Sequence, residues 1–330
     1  MRREMKDFIP NRKTCGKWML MASLTLLALS SCRHKDLYME EEMTSQLEVV
    51  FDWRYAPDAD PKSMALYLYE EDGHNPMRFI FSDKKGGLIK APFGLHHAIC
   101  LNADNTDWAR MRGHEDIESL EIYTQDAEEI GSRSDDTSSI PRPEGTEAER
   151  IATTPGMMWG SRSNGIAITP HEGMQTITMY PQEAVCHYMV DVYDVSNLQD
   201  VESSAVDATL SGMAEGYSHG QQSATDNTAT MKFDLTANAS ESNLHGEFLT
   251  FGECPTTVAK HFLTLYMVLT DGSKWYHSFD VTDQVSKAAD PTHVHIIIQG
   301  LDLPQPPEEG NAGLKTDVNE WQPINIGLQM

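Results

Sequence analysis

Apolar residues recur at every second position through most of the chain, and that period restricts the fold more than any other feature. In "LEVVFDW", Leu47, Val49, Phe51 and Trp53 share one face. In "MALYLYE", Met64, Leu66 and Leu68 alternate with Ala65, Tyr67 and Tyr69. Successive side chains of a strand point to opposite faces, so period two marks a sheet with a buried side. "MRFIFS" follows a turn at "EDGHNP", whose Gly and Pro suit a hairpin. "GGLIKAPFGLHHAICLNAD" adds two strands around Pro92, "IESLEIYT" closes the first series, and "MMWGS" and "TITMYPQ" supply its remaining partners.

A second series starts after Pro181. In "AVCHYMVDVYDV", Val185, His187, Met189, Asp191 and Tyr193 face one way, and Val190 and Val192 the other. "TATMKFDLTA", "HGEFLTFGEC", "AKHFLTLYMVLTDGSKWYHSFDV" and "PTHVHIIIQGLDL" continue the pattern, and "LTDGSKWY" is a strand–Asp-Gly–strand hairpin signal. Helix-period runs are scarce. The expected fold is all-β: two tandem antiparallel β-sandwich domains, residues 46–181 and 182–303. Residues 304–330 read as a Pro-rich spacer and a terminal strand in "DVNEWQPINIGLQM". Gln125 to Thr154 is rich in Ser, Asp, Glu, Pro and Gly and poor in large apolar residues, so it is expected to be a disordered loop of the first domain.

The front of the chain is of another kind. Arg2, Arg3, Lys6, Arg12, Lys13 and Lys17 precede a twelve-residue apolar run, Trp18 to Leu29. A membrane span takes about 20 apolar residues, so the run fits a secretory signal peptide over residues 1–31. "Leu29-Ser30-Ser31-Cys32" resembles the bacterial lipobox, in which the cysteine is acylated and becomes the first mature residue. Cys32 is thus the expected lipid attachment site, and residues 32–45, with Glu40, Glu41 and Glu42, the tether. The expected location is the outer membrane, lipid-anchored and surface-exposed.

Removing residues 1–31 takes away six basic and two acidic side chains, leaving 19 and 48 and a net charge of −29. A nucleic-acid binder needs a basic surface, so that class of partner is excluded. Past Cys32 the cysteines are Cys100, Cys186 and Cys254, an odd set in no metal-binding spacing, with at most one disulfide. Cys100 and Cys186 sit in strand-like runs and read as small buried apolar residues. His96 and His97 are adjacent and point to opposite faces; His293 and His295 share a strand face, but no Glu or Cys partner stands at a diagnostic spacing. Hydrolase elbows, zincin motifs and phosphate or dinucleotide loops are absent, so no enzyme, cofactor or metal is expected. Trp108, Trp159 and Trp321 would make a sugar platform if exposed and coplanar. That keeps a second reading open, a glycan- or ligand-binding lipoprotein of a nutrient uptake system.

Taken in order, the lipobox, "LEVVFDWRYAPDADPKSMALYLYEEDG", "PFGLHHAICLNAD", "ATLSGMAEGYSHG" and "DVNEWQPINIGL" resemble a Bacteroides-type family of fimbrillin-related lipoproteins, the fimbrial anchor subunits. The resemblance implies transthyretin-like sandwiches and pilin-like partners that join by strand addition, in which main-chain hydrogen bonds supply affinity. It also directs attention to Trp321, Ile324 and Ile326 as a terminal strand whose pairing matters. The family's maturation of shaft subunits at an arginine has no clear counterpart; Arg133, Arg142 and Arg150 lie in the expected loop.

Overall fold

Strands occupy most of the chain in a computed structural model. It describes residues 44–324 apart from 128, 131–134, 137–139, 171–172, 257–259 and 306–319. Cys32 and Ile326 therefore lie outside the described residues. The first strands are β1 (Thr44–Phe51), β2 (Met64–Glu70), β3 (Met77–Phe81), β4 (Gly86–Pro92), β5 (Gly94–Asn102), β6 (Ala109–Arg112) and β7 (Glu121–Thr124). Next come β8 (Glu129–Ile130), β9 (Asp135–Asp136), β10 (Arg150–Thr153), β11 (Trp159–Ile168), β12 (Gln175–Met179) and β13 (Gln182–Glu183). The remainder are β14 (Cys186–Ser196), β15 (Ala205–Ala214), β16 (Gly216–Ser218), β17 (Ser223–Ala224), β18 (Thr228–Asn238), β19 (Asn243–Thr250), β20 (Phe262–Val268), β21 (Lys274–Asp280), β22 (His293–Asp302) and β23 (Trp321–Pro323).

Two sheets build the N-terminal sandwich. One runs β12-β1-β4 and the other β13-β11-β5-β2-β3. The alternation of the sequence sets their inner faces. Leu47, Val49 and Phe51 meet Met64, Leu66 and Leu68 in one core with Cys100, Ile177 and Met179. β2 is buried on both faces, because Ala65, Tyr67 and Tyr69 enter a second core with Leu120, Ile122, Val185 and Phe251. That second core packs against a third sheet, β17-β16-β7-β6. It joins β6 and β7 to β16 and β17 across the sequence boundary expected at 181/182.

The largest sheet has nine strands in the order β22-β14-β19-β18-β15-β20-β21-β23, with β10 beside β18. β18 and β19 are paired only over Thr236–Asn238 and Asn243–His245. Beyond that the ladder opens, and Phe233 and Phe248 stack with centroids 3.7 Å apart. Strands from both sides of the opening share one core, Val190, Val192 and Ile296 with Leu210, Met231 and Leu265. The sheets are mainly antiparallel, with parallel pairs at β1–β12, β10–β18, β14–β22 and β21–β23. The Asp-Gly signal stands at the β20–β21 hairpin, where Gly272 takes φ 81°.

Described residues of the segment 125–154, expected to be a disordered loop, are built into the fold. β10 pairs with β18 in parallel register, Arg150↔Ala229 to Thr153↔Lys232, along the edge that β19 leaves. Ala127, Ile130, Ile140 and Ile151 bury together against Tyr266, beside Tyr276 and Trp321. These few apolar residues are too scattered to give a period, yet they suffice to dock the chain. Arg142 and Arg150 are correspondingly engaged. Arg150 reaches Glu215 at 3.0 Å and Asp126 at 2.7 Å, and Arg142 donates to the Glu149 carbonyl at 2.7 Å. Arg133 lies outside the described residues.

Candidate strand-pairing edges

A sheet edge exposes unpaired main-chain donors and acceptors, a template for another strand. Two such edges lie side by side in the N-terminal sandwich. β3 is the last strand of one sheet and β4 the last of the other. The chain crosses between sheets at this corner, through the turn at Ser82–Lys85. A groove of about 530 Å³ runs between them, lined by Arg78 to Asp83 and Gly86 to Lys90.

The alternation of both strands shapes this groove. Phe81 and Ile89 are buried in the sandwich core, whereas Met77 and Phe79 pack against it while remaining half-buried. The core is therefore least covered where β3 ends its sheet. On the opposite faces Ile80 and Leu88 are 55% and 56% exposed. Gly86 makes the approach of β4 to β1 possible. It adopts φ +106°, and a Cβ there would lie 2.0 Å from the Val49 carbonyl oxygen. Trp53 braces the same corner by donating from Nε1 to the Lys84 carbonyl at 2.7 Å.

At one end of the large sheet the last strand is the chain's own C-terminal segment. β23 pairs in parallel with β21, Lys274↔Trp321 to Tyr276↔Pro323. The Ile324 amide donates to the Tyr276 carbonyl at 2.9 Å, and His277 Nδ1 meets the Ile324 carbonyl oxygen at 2.9 Å. Burial pulls the His277 pKa down, partly offset by that carbonyl. Ile324 is buried in the main core. The Trp321 ring stands edge-on to Tyr266 at 5.3 Å, and Tyr266 donates to the Pro141 carbonyl at 2.9 Å. Trp321 and Ile324 thus sit together on the sheet edge.

The other singled-out residues are placed as follows. Cys100 and Cys254 are buried and Cys186 half-buried, all as free thiols. Burial pushes Cys100 and Cys186 up to about 11, so neither is a thiolate near neutrality. Trp159 is buried, and Trp108 and Trp321 are half-buried against other residues, so the three form no exposed platform. His96 is buried between the Tyr69 and Pro92 carbonyls, and His97 turns the other way to Asn164. No described helix is long and apolar enough to cross a membrane. Nothing in the sequence shows the groove, because an open edge is a property of sheet order.

These features define an all-β chain in which, among the described residues, two neighbouring strands each end a sheet. The chain belongs to the family described as Domain of unknown function (DUF5119), whose model matches residues 31–234. A Bacteroides ovatus protein provisionally named fimbrium anchoring subunit Fim4B is 27% identical over 107 residues. The match takes in 32% of this chain and 32% of that protein, so the chain spans about a third of this curated relative. A solved structure provisionally described as an adhesin, from Bacteroides ovatus ATCC 8483, is 20% identical. It covers 84% of this chain and 99% of its own, with a TM-score of 0.61. The fimbrial anchor protein Mfa2 from Porphyromonas gingivalis is 12% identical over 77% of this chain and 90% of its own, with a TM-score of 0.48. The solved likeness bears on the fold, and rests on the first of the two structures. The relative's name falls in the fimbrial anchor group that the sequence segments resemble.

Proposed function

We propose that the chain is a lipid-anchored cell-surface subunit of a fimbrium, its anchor or a related adhesion component. It acts by binding rather than by catalysis, accepting an extended strand from a pilin-like partner between β3 and β4. The observation that carries this reading is the groove of about 530 Å³ between two neighbouring sheet edges. A strand laid there would satisfy main-chain groups of both edges and cover Met77 and Phe79. Fully burying a side chain of that size contributes about 1.5–3 kcal/mol. The named relative supports the fimbrial setting. Cys32, behind its lipobox, supplies the membrane tether in this account. Trp321 and Ile324 pair the chain's own terminal strand with β21, at one end of the large sheet, and Ile326 would continue that strand.

The test is a pulldown of the tagged full-length protein from outer membranes of the cells that make it, with partners identified by mass spectrometry. A Cys32→Ala variant is run in parallel. Stable ladders with β-sandwich subunits, and loss of the Cys32→Ala protein from the membrane fraction, are expected. Recovery of a transporter barrel with glycan-processing proteins would overturn the fimbrial reading in favour of nutrient uptake.

A further inference from the structure

His293 and His295 share the outer face of β22, and the fold supplies the third imidazole that the sequence lacks. β22 pairs in parallel with β14 so that His187 stands opposite His293 and Met189 opposite His295. Residues two apart on a strand are about 7 Å apart, and neighbouring strands about 4.8 Å apart. The three histidines therefore mark a right-angled triangle on one sheet face. They line one recess of about 500 Å³ together with Met189, Glu247 and Leu249. The His187 and His293 rings are stacked, with centroids 4.8 Å apart and planes 1° apart.

Each ring already has one nitrogen engaged by a carboxylate. His295 Nε2 donates to Asp191 Oδ2 at 2.7 Å. His187 Nε2 faces Glu183 Oε2 at 3.3 Å; His293 Nδ1 lies 3.0 Å from the Thr292 hydroxyl, which itself donates to Asp290, and 3.3 Å from Asp290 Oδ2. An ionised carboxylate only accepts, so it fixes the proton on the nitrogen it touches. The lone pairs then sit on His187 Nδ1, His293 Nε2 and His295 Nδ1. Carboxylates behind imidazoles are the usual outer support of a histidine metal site.

We propose that His187, His293 and His295 bind a late first-row divalent cation, of which Zn2+ is the probe. Imidazole nitrogen suits this class, and three histidines with a water complete a tetrahedral set. As placed, no group of three or more His, Cys, Asp or Glu side chains among the described residues could hold a metal ion, so the three rings have to move to bind one. The ion assembles the site by turning the stacked rings toward each other. Their side chains are 39%, 62% and 44% exposed for His187, His293 and His295, so they have room to turn.

The test is titration calorimetry of the purified full-length protein with Zn2+ alone, and with Ca2+ and Mg2+ as oxygen-preferring controls. The chain has 13 histidines, so variants locate the binding. One Zn2+ per chain is expected, with no heat from Ca2+ or Mg2+. His187→Ala and the double variant His293→Ala/His295→Ala should each weaken binding more than about 10-fold, and Asp191→Asn about 10-fold. His97→Ala should leave it unchanged. Thermal melts without metal check that each variant folds, and His293→Gln/His295→Gln replaces the double alanine variant if that one does not. No heat at millimolar Zn2+, or binding that survives the folded histidine variants, would overturn the proposal.

Discussion

His219 should make the stability of this protein fall with acid. Its ring lies just after β16, packed on Gly160 of β11, with Tyr217 edge-on at 5.2 Å. It is 2% exposed, and among the described residues Nε2 has no hydrogen-bond partner. Burial pushes its pKa down from 6.5 to about 4. In the unfolded chain the imidazole takes a proton near its ordinary value, whereas the folded chain resists until about pH 4. The unfolded state therefore binds more protons between these limits, and stability is lost as pH falls from about 6.5 to about 4. At about 1.4 kcal/mol per pH unit the loss reaches about 3 kcal/mol, and it levels off below the folded pKa. Above 6.5 the group is neutral in both states and contributes no slope. The assay is urea denaturation followed by tryptophan fluorescence at a series of pH values, for the natural chain and His219→Leu. Carboxylates titrate in both proteins, so the difference between the two curves isolates the imidazole. That difference should shift by about 3 kcal/mol against the natural chain between pH 7 and pH 4. Parallel curves across this range would refute the reasoning.

Four further outcomes follow from the packing. Gly86→Ala should cost about 3 kcal/mol or more, because φ +106° and the Val49 carbonyl leave no place for a Cβ. Gly145→Ala, at φ +90° with nothing within 4 Å, should cost only about 1 kcal/mol in the same denaturation assay. Ile324→Ala should remove about 2 kcal/mol and speed exchange of the amide at position 324, since it leaves a hole in the main core and loosens the bond to the Tyr276 carbonyl. Glu215 accepts from both Arg112, at 3.1 Å, and Arg150, at 3.0 Å, while only 13% exposed. Glu215→Ala should therefore cost about 2 kcal/mol, and limited proteolysis should cut the released segment near Arg150 sooner.

What was legible in the sequence is the part of the fold governed by neighbours along the chain. The period in "MALYLYE" and the Asp-Gly turn of "LTDGSKWY" identify strands and a hairpin, because each depends on a few adjacent residues. That both faces of "MALYLYE" are buried follows from a third sheet whose strands lie up to about 150 residues away. β10 escapes notice because "RIAT" is short and sits in a polar stretch, yet it fits the edge of β18 that β19 vacates. The candidate groove is legible only through sheet order, which places β3 and β4 last in different sheets. "WQPI" is too short to show a period, and only sheet order reveals that Trp321 stands opposite Lys274 and that the Ile324 amide reaches the Tyr276 carbonyl. The partner of His293 is 106 residues away at His187, a juxtaposition that strand register alone creates.

The central claim is that a partner strand enters between β3 and β4, and site-specific photocrosslinking tests it most directly. A photoreactive amino acid is placed at Ile80 or Leu88, on the groove strands, and at Tyr193 on another sheet as the control; all three are exposed. After irradiation of intact cells, adducts are identified by mass spectrometry. The account predicts adducts from Ile80 and Leu88 to one β-sandwich subunit through an extended segment, and none from Tyr193. No adduct at Ile80 and Leu88, or the same adducts at Tyr193, would contradict it.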